Sequence, residues 1–254
     1  MSSFHALHAA DAPLLIANAW DVPSALAAQA AGYAAIATSS AAIAGMLGYE
    51  DGEGTSFDEL LFIVRRIRAS TTLPLSVDIE GGYADDADSV AANAQRLQEL
   101  GIVGINIEDS RVVDGKRQLL PPEHLAGLIA AIRSACPELF INARTDPFLL
   151  GVPDALQETL SRGRQYIGHG ADGIFAPCIT EAADIREVAG SLARPVNVLA
   201  MPRLPDFATL AALGVKRISM GNAVHGELKQ ELRRRLDAIR SRQSFAALFS
   251  HENQ

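Results

Sequence analysis

Apolar and polar residues alternate in LSVDIE (residues 75–80), GINIED (residues 104–109) and FINARTD (residues 140–146). Side chains on a β-strand point to opposite faces with a period of two, so each stretch sends its polar side chains to one side. Strands of a parallel sheet are ordinarily apolar on both faces. Charge at the carboxyl end of three successive strands therefore predicts a site of binding or chemistry.

Strand-like and helix-like segments alternate eight times along the chain. The strand candidates are residues 14–19, 34–39, 75–80, 104–109, 140–146, 173–177, 196–200 and 217–221. The clearest helices are residues 58–69, 89–100, 125–135 and 155–167, where apolar positions recur near helical spacing. Ser56 and Glu59 form a capping-box pattern at the start of the first of these helices.

Eight strand–helix units in about 250 residues have the size and rhythm of a (β/α)8 barrel. We predict one barrel domain over residues 1–254 with a helical extension at its C-terminus. A doubly wound open sheet is the alternative, but NAWDVPSA (residues 18–25) follows the first strand where G-x-G-x-x-G would be expected. In a barrel, the carboxyl ends of all strands converge on one mouth. Asp78, Glu80, Glu108 and Arg144 are therefore predicted to meet there.

Composition excludes several classes of protein. The chain has 254 residues, 48% of them hydrophobic and 20% charged, which is enough for a substantial core. A net charge of −8 argues against a nucleic-acid surface. The two cysteines are too few for a disulfide scaffold, and no segment approaches the ~18 apolar residues of a membrane span. We expect a cytoplasmic protein whose apolar tail SFAALFS (residues 244–250) could dock on a partner subunit.

Three carboxylates, Asp78, Glu80 and Glu108, would repel one another in a water-poor cavity, and Asp51 adds a fourth. Either some of them are protonated or a cation lies among them. All four offer hard oxygen ligands, which suit Mg²⁺ or Mn²⁺. Magnesium prefers one or two direct carboxylates with waters completing its octahedron. We therefore expect one direct ligand, with the other carboxylates holding metal-bound water.

Arg144 lies on the strand next to these carboxylates. Its guanidinium is a planar fork of donors that suits a carboxylate, a phosphonate or a phosphate. A metal and an arginine at one mouth suggest an anionic substrate with a chelating, oxygen-rich end, such as a 2-oxo acid. The metal would then stabilise the enolate formed when a neighbouring bond breaks.

Five segments, in order along the chain, resemble the isocitrate lyase and phosphoenolpyruvate mutase superfamily. They are IANAWDVPSA (16–25), IATSSAAIAGMLGYED (36–51), SVDIEGGYAD (76–85), GINIEDS (104–110) and INARTD (141–146). The resemblance implies a (β/α)8 barrel whose eighth helix is exchanged between subunits of a dimer within a tetramer. It also implies Mg²⁺-bound 2-oxo acids or their enolates, and reactions that make or break C–C or P–C bonds beside the carbonyl.

The resemblance assigns roles to the acidic residues. Asp78 corresponds to the direct metal ligand of the family's D-x-D-x-G motif, and Glu80 replaces the second aspartate with a side chain one methylene longer. Asp51 and Glu108 correspond to the remaining carboxylates around the metal-bound water.

The resemblance also assigns the substrate contacts. Arg144 corresponds to the arginine that grips the substrate, beside Asp78. Ser39, with the backbone at Ser40, corresponds to the loop that contacts the substrate carboxylate. Arg144 and Glu108 are the residues we predict to be catalytic.

The segment after the fourth strand departs from the family pattern. Isocitrate and methylisocitrate lyases carry K-[KR]-C-G-H there, with the cysteine as proton donor, and the mutases and phosphonopyruvate hydrolases carry a lysine and an asparagine. Here the segment reads EDSRVVDGKRQLLPPEH (residues 108–124), and Lys116 and Arg117 are its obvious cations. The leading hypothesis is a C–C lyase or decarboxylase acting on a small 2-oxo acid or substituted malate. The alternatives are a 2-oxo-acid-binding protein without turnover and a P–C bond enzyme of the phosphonopyruvate type.

Several polar residues also have simpler interpretations. Asp85, Asp86 and Asp146 are predicted to cap helices. Glu108 and Arg144 could form a structural ion pair instead of a catalytic one. Cys178 is predicted to be an inert, buried thiol rather than a nucleophile.

Overall fold

The computed structural model describes residues 3–52 and 54–249. These residues fall into two compact units that divide after Gly221. The first unit holds the barrel and the second a long helix.

Eight parallel strands form a closed barrel, as predicted. They are β1 (Leu14–Ala19), β2 (Ile36–Thr38), β3 (Leu75–Asp78), β4 (Gly104–Glu108), β7 (Phe140–Arg144), β8 (Gly173–Ala176), β9 (Val196–Leu199) and β10 (Arg217–Ser219). Their order around the barrel is β1, β10, β9, β8, β7, β4, β3, β2. Every predicted strand is present, although all but the first end one or two residues earlier than predicted. The open doubly wound sheet is excluded.

Helices alternate with these strands. They are α1 (Ser3–His8), α2 (Val22–Ala30), α3 (Ser40–Leu47), α4 (Phe57–Ser70), α5 (Ala87–Glu99), α6 (Pro122–Ala135), α7 (Pro147–Leu150), α8 (Ala155–Gly168), α9 (Ala182–Ser191) and α10 (Phe207–Ala212). The predicted capping box begins α4: the backbone N–H of Glu59 donates to Ser56 Oγ, and the backbone N–H of Ser56 donates to Glu59 Oε2 at 2.8 Å.

The main core lies between the helices and the outer faces of the strands. Val64 on α4 and Leu97 on α5 are fully buried in one apolar cluster with Ile105 and Ile141, which alternate with the inward-facing polar residues of β4 and β7. The period-two pattern of the sequence is therefore the pattern of barrel wall and barrel interior.

Helix α1 fills the amino-terminal end of the barrel. The Phe4 side chain is fully buried and meets Phe140 edge-on, with 5.5 Å between ring centroids. His8 stacks on the same phenyl ring at 4.1 Å. Burial lowers the pKa of His8 to about 3, and the nearby Arg217 acts in the same direction, so the ring is neutral at pH 7.

A polar layer crosses the barrel interior above α1. Asn142 Nδ2 donates to Asn106 Oδ1 at 2.9 Å and to Asn197 Oδ1 at 3.0 Å. Arg217, only 1% exposed, reaches Asn106 Oδ1 from β10 at 3.3 Å. Burial lowers the pKa of Arg217 to about 10, so it remains a cation at neutral pH. Branched apolar residues ordinarily fill such interiors. The alternation in β4 and β7 predicted the inward direction of Asn106 and Asn142 but not the contributions of Asn197 and Arg217.

A β-hairpin follows β4, within the segment that departs from the family pattern (residues 108–124). Its strands are β5 (Ser110–Val113) and β6 (Lys116–Leu119), which pair antiparallel. Asp114 and Gly115 form the two-residue turn, both with positive φ (51° and 72°). Asp-Gly is a preferred pair for such tight turns.

The second unit is helix α11 (Ala223–Arg242), followed by a short 3-10 turn at Ala246–Leu248. Four large apolar side chains spaced four residues apart are exposed on it: Val224, Leu228, Leu232 and Leu236. In the predicted tail patch Phe245, Leu248 and Phe249 are exposed, and Ser250 lies outside the described residues. None of the described helices is both long and apolar enough to span a membrane.

Candidate active site

Asp78 is the last residue of β3 and lies at the carboxyl-terminal mouth of the barrel. Its Oδ2 accepts a hydrogen bond from Ser40 Oγ at 2.9 Å, and its backbone N–H donates to Thr38 Oγ1 at 2.8 Å. Burial raises the pKa of the Asp78 carboxyl, while the nearby Arg144 acts to lower it. A carboxylate held in this way gains from any further cation that approaches it.

Glu108 and Arg144 are register partners on β4 and β7. Arg144 Nη1 lies 2.8 Å from Glu108 Oε2, and Glu108 is only 3% exposed. Burial raises the pKa of Glu108, and the Arg144 charge opposes this shift. Burial alone would lower the pKa of Arg144, but Glu108 and Asp146 raise it, so the guanidinium stays charged. The structure therefore brings Asp78, Glu108 and Arg144 together, as the alternation predicted.

Asp146 is a direct partner of Arg144. Its fully buried carboxylate accepts from Arg144 Nε at 2.7 Å and from Arg144 Nη2 at 3.1 Å, and it also accepts from Ser110 Oγ. It makes no side-chain cap at α7, so the prediction of a helix cap is wrong. Asp86 does cap α5, by accepting from the backbone N–H of Ser89, whereas Asp85 pairs with Arg111 on the surface.

Arg117, on β6, enters the same cluster from the hairpin. Its Nη1 donates to Glu108 Oε1 and, at 3.0 Å, to Ser110 Oγ. Its Nη2 donates to Asp51 Oδ2 at 3.4 Å. The Arg117 side chain is 16% exposed and that of Asp51 46%. The two arginines thus take opposite oxygens of the Glu108 carboxylate.

Glu80 does not continue β3, so its predicted place inside the strand is wrong. The strand ends at Asp78, and Glu80 adopts a left-handed backbone conformation with φ of 48°, which breaks the alternation. Its Oε1 accepts from the Tyr83 hydroxyl at 3.0 Å, and Tyr83 is also left-handed, with φ of 57°. Non-glycine residues in this region cost about 1–3 kcal/mol each and cluster at functional sites.

The predicted substrate loop lies at the start of α3. Ser39 is the N-cap of this helix, and its Oγ accepts from the backbone N–H of Ala42 at 3.3 Å. Ser40 points to Asp78. Both serines are buried beside the carboxylate cluster.

Asp109 contacts the segment that carries Asp146. The sequence patterns did not identify it as a site residue. Its fully buried carboxylate accepts from the Tyr166 hydroxyl at 2.8 Å, the Thr145 hydroxyl at 2.7 Å and the backbone N–H of Asp146 at 3.0 Å. It therefore ties α8 to the loop that carries Asp146.

Cys178 follows β8 with a φ of 65° and is partly buried. Burial raises the pKa of its thiol. Since the thiolate is the nucleophilic form, this environment disfavours a nucleophilic role.

The oxygen donors at the mouth fit a hydrated divalent ion. Among the described residues, no three Asp, Glu, His or Cys side chains lie close enough together to enclose a metal by themselves. Magnesium does not require such a cage, because it keeps several waters and takes one or two carboxylates. Asp78 can serve as the direct ligand, and the carboxylates of Glu108 and Asp51 lie near enough to influence its charge.

Residues 4–240 match the family model of phosphoenolpyruvate phosphomutase. This chain belongs to the phosphoenolpyruvate mutase family. The match covers the barrel and nearly all of α11, and it confirms the resemblance read from the five segments.

Relatives in this family carry several different names. The chain is 32% identical over 219 residues to 2-methylisocitrate lyase of Escherichia coli, covering 82% of this chain and 72% of the relative. It is 29% identical over 211 residues to oxaloacetate decarboxylase of a Bradyrhizobium strain, covering 79% and 71%. The crystal structure of a phosphoenolpyruvate phosphomutase from Streptomyces platensis superposes with a TM-score of 0.88 at 25% identity, covering 98% of this chain and 90% of that one.

Proposed function

We propose that this protein is a divalent-metal-dependent lyase that breaks a C–C bond of a small 2-oxo acid or substituted malate. The grouping of Asp78, Glu108 and Arg144 at the barrel mouth carries the proposal. Relatives named 2-methylisocitrate lyase and oxaloacetate decarboxylase support the reaction class.

The charge balance of the mouth supports a divalent cation. Four carboxylates, from Asp51, Asp78, Glu108 and Asp146, lie with two guanidiniums, from Arg117 and Arg144, and a third guanidinium, that of Arg217, interacts with Asp78 from the barrel interior. Unbalanced negative charge in a partly buried cluster favours either protonation or a bound cation. Mg²⁺ or Mn²⁺ is the cation that an all-oxygen donor set suits.

Arg144 is oriented to hold the substrate carboxylate. A guanidinium has five N–H donors. Two N–H groups of Arg144 donate to Asp146, and Nη1 forms an ion pair with Glu108. The other N–H groups can serve an anionic ligand. Asp146 and Glu108 fix the plane of the guanidinium, so little side-chain freedom is lost when a ligand binds.

The divalent ion at Asp78 would stabilise the negative charge that develops on the enolate oxygen as the bond breaks. Ser40 holds Asp78 in place through its hydroxyl. The left-handed backbone at Glu80 lets its N–H point back to Asp78 Oδ1, at 3.3 Å. These contacts orient the direct ligand before any substrate arrives.

The test is a turnover panel with purified protein and added Mg²⁺ or Mn²⁺. Oxaloacetate, alkylmalates and methylisocitrate are supplied, and release of the 2-oxo or carboxylic acid product is measured. We expect metal-dependent turnover of at least one of them. A protein inert towards the whole panel contradicts the proposal, and calorimetry showing metal-dependent 2-oxo-acid binding without turnover would favour a binding protein instead.

Phosphonopyruvate is the second candidate substrate, favoured by the similarity to the Streptomyces phosphomutase structure. Arg144 would serve a phosphonate as well as a carboxylate. Phosphorus NMR separates the outcomes, because rearrangement gives a phosphate ester and hydrolysis gives inorganic phosphate.

We also propose that the protein assembles as a homodimer or homotetramer. The support is the apolar stripe of α11, formed by Val224, Leu228, Leu232 and Leu236, whose side chains are 45–61% exposed in the single chain. A surface helix ordinarily buries such a stripe.

A further inference from the structure

The hairpin places a cation on carboxylates that face the proposed metal site. Arg117 binds Glu108 Oε1 and lies 3.4 Å from Asp51 Oδ2. Both carboxylates also interact electrostatically with Asp78, the proposed direct metal ligand. A guanidinium and a hydrated divalent ion are both drawn to the same oxygens, and their like charges repel each other at this range.

Glu108 lies between two guanidiniums. Arg144 takes Oε2 at 2.8 Å, and Arg117 takes Oε1 from the opposite side. Where it pairs with Glu108, the Arg117 side chain is only 16% exposed. Displaced from Glu108, Arg117 would be a cation at the mouth that has lost this partner. Such a cation is stabilised by a new anion within reach.

We propose that Arg117 is a releasable counter-ion: it neutralises Glu108 and Asp51 until the divalent ion binds, and then holds the second carboxylate of a dicarboxylic 2-oxo acid. The inference rests on the proposed function and names its substrate class. A diacid spans both guanidiniums, with its 2-oxo acid end at Arg144 and its far carboxylate at Arg117. A monocarboxylic 2-oxo acid leaves Arg117 without a partner.

The hairpin is coupled to the loop that carries Asp51. Val112 on β5 lies directly against Gly52, so that a Cβ on this glycine would clash with the valine side chain. A shift of Arg117 away from Asp51 therefore involves both segments. This contact holds the hairpin next to the loop that carries Asp51, so that Arg117 can bridge the two segments.

The first experiment measures Mn²⁺ affinity by calorimetry, without substrate. Arg117→Gln should bind Mn²⁺ about tenfold more tightly than the wild type, because a competing cation has gone. Arg111→Gln is the matched control: it removes the same charge from the same hairpin, at a surface pair with Asp85. It should change the affinity by less than about twofold, since exposed pairs are weak and screened.

The second experiment compares two ligands of equal length on the Mn²⁺-loaded protein, 2-oxoglutarate and 2-oxopentanoate, which differ in the distal carboxylate. The wild type and Arg111→Gln should prefer the diacid by at least about tenfold, as a charge-assisted pair requires. Arg117→Gln should lose that preference and keep its affinity for the monoacid.

The results separate the two proposals. A wild type that ignores Mn²⁺ overturns the proposed function. A wild type that binds Mn²⁺, with Arg117→Gln matching Arg111→Gln in both experiments, overturns the role of Arg117 alone. Should Arg117→Gln fail to fold, Arg117→Lys decides: its point charge cannot bridge Glu108 and Asp51, so Mn²⁺ should bind severalfold more tightly, and an unchanged affinity overturns the inference.

Discussion

Asp78 shows most clearly the free-energy cost of burying a carboxylate. Burial raises the pKa of its carboxyl, so keeping it ionised costs the folded protein free energy. Asp78→Asn removes that cost and the proposed direct metal ligand together. We expect the affinity for Mn²⁺ to fall at least about tenfold while the melting temperature stays the same or rises.

Calorimetry for metal binding and thermal unfolding for stability test this prediction. Asp85→Asn is the control, because Asp85 is exposed and pairs with Arg111 on the surface. Metal affinity that survives in Asp78→Asn would show that the direct ligand lies elsewhere in the cluster.

Sequence reasoning located the charged residues that the strands themselves carry. Glu108 and Arg144 lie within β4 and β7, where period-two alternation dictates the inward face. The prediction that Glu80 lies within β3 failed because its left-handed backbone ends the alternation. The pair of glycines after it, Gly81 and Gly82, was the available signal that the strand had stopped.

Other site residues could not be placed from the sequence because their roles depend on tertiary contacts. Asp146 has the sequence context of a helix cap, yet it binds Arg144. Asp109 makes its bonds to Thr145 and Tyr166, which lie 36 and 57 residues away. No local pattern reports such distant partners.

At the scale of elements, the hairpin was the main omission. No secondary structure was predicted for residues 108–124, although Asp114 and Gly115 are a strong turn signal. The flanking strands, SRVV and KRQL, are short and show no regular alternation of apolar and polar residues. Recognising the turn would have placed Arg117 on a strand. It would not have predicted the contact between Arg117 and Glu108.

The fit of α1 into the barrel depends on a glycine at the start of β4. A Cβ at Gly104 would lie 2.9 Å from Phe4 Cε1 and 3.1 Å from the carbonyl oxygen of Phe140. Gly104→Ala should therefore lower the free energy of unfolding by about 1–3 kcal/mol, as overpacking does. Urea unfolding measures this change.

Gly127→Ala is the matched control for that substitution. Gly127 is exposed in the middle of α6, and no described atom outside its own stretch of helix lies within 4 Å of the position that a Cβ would take there. The same change there should raise the free energy of unfolding by about 0.5–1 kcal/mol, because alanine favours the helix. Equal effects at both positions would argue against the close contact with Phe4.

His8 makes the stability of the α1 seal dependent on pH. Burial holds its pKa near 3 in the folded protein, against 6.5 for an ordinary histidine. Between these values the unfolded chain binds a proton that the folded protein does not, so stability falls as the pH falls. From pH 7 to pH 5, His8 should account for a loss of about 2 kcal/mol.

His8→Leu removes the titrating ring from its stack on Phe140. Urea unfolding at pH 7 and at pH 5 should then show a smaller difference between the two conditions than in the wild type, by about 2 kcal/mol. A variant with the full wild-type pH dependence would place the titration in other groups.

At the scale of the whole molecule, the barrel was predictable because eight strand–helix units repeat along the chain. The repeat fixes the architecture even where strand ends are misjudged by a residue or two. The part of the polar interior that β10 supplies was not predictable in the same way. Arg217 begins β10 in an ordinary-looking strand, and only the closed barrel shows that its side chain reaches Asn106 across the interior.

The apolar stripe of α11 predicts a change in assembly state on mutation. Leu228, 54% exposed in the single chain, is near its centre. Leu228→Glu should shift the protein to a smaller species in sedimentation experiments, because burying a carboxylate in an apolar contact is costly. Lys229→Glu, off the stripe, should leave the sedimentation coefficient unchanged; equal behaviour of the two variants would contradict an interface there.

Helix α1 also restricts the route by which substrate and products can enter and leave the barrel. With Phe4 seated against Phe140, the described residues close the amino-terminal end of the barrel, and Asp78 meets solvent at the opposite end. When one substrate is cleaved in two, both fragments must leave through the carboxyl-terminal mouth, past the hairpin. We expect the fragment that Arg144 is proposed to bind to leave last, so that fragment should be the competitive inhibitor in product-inhibition kinetics.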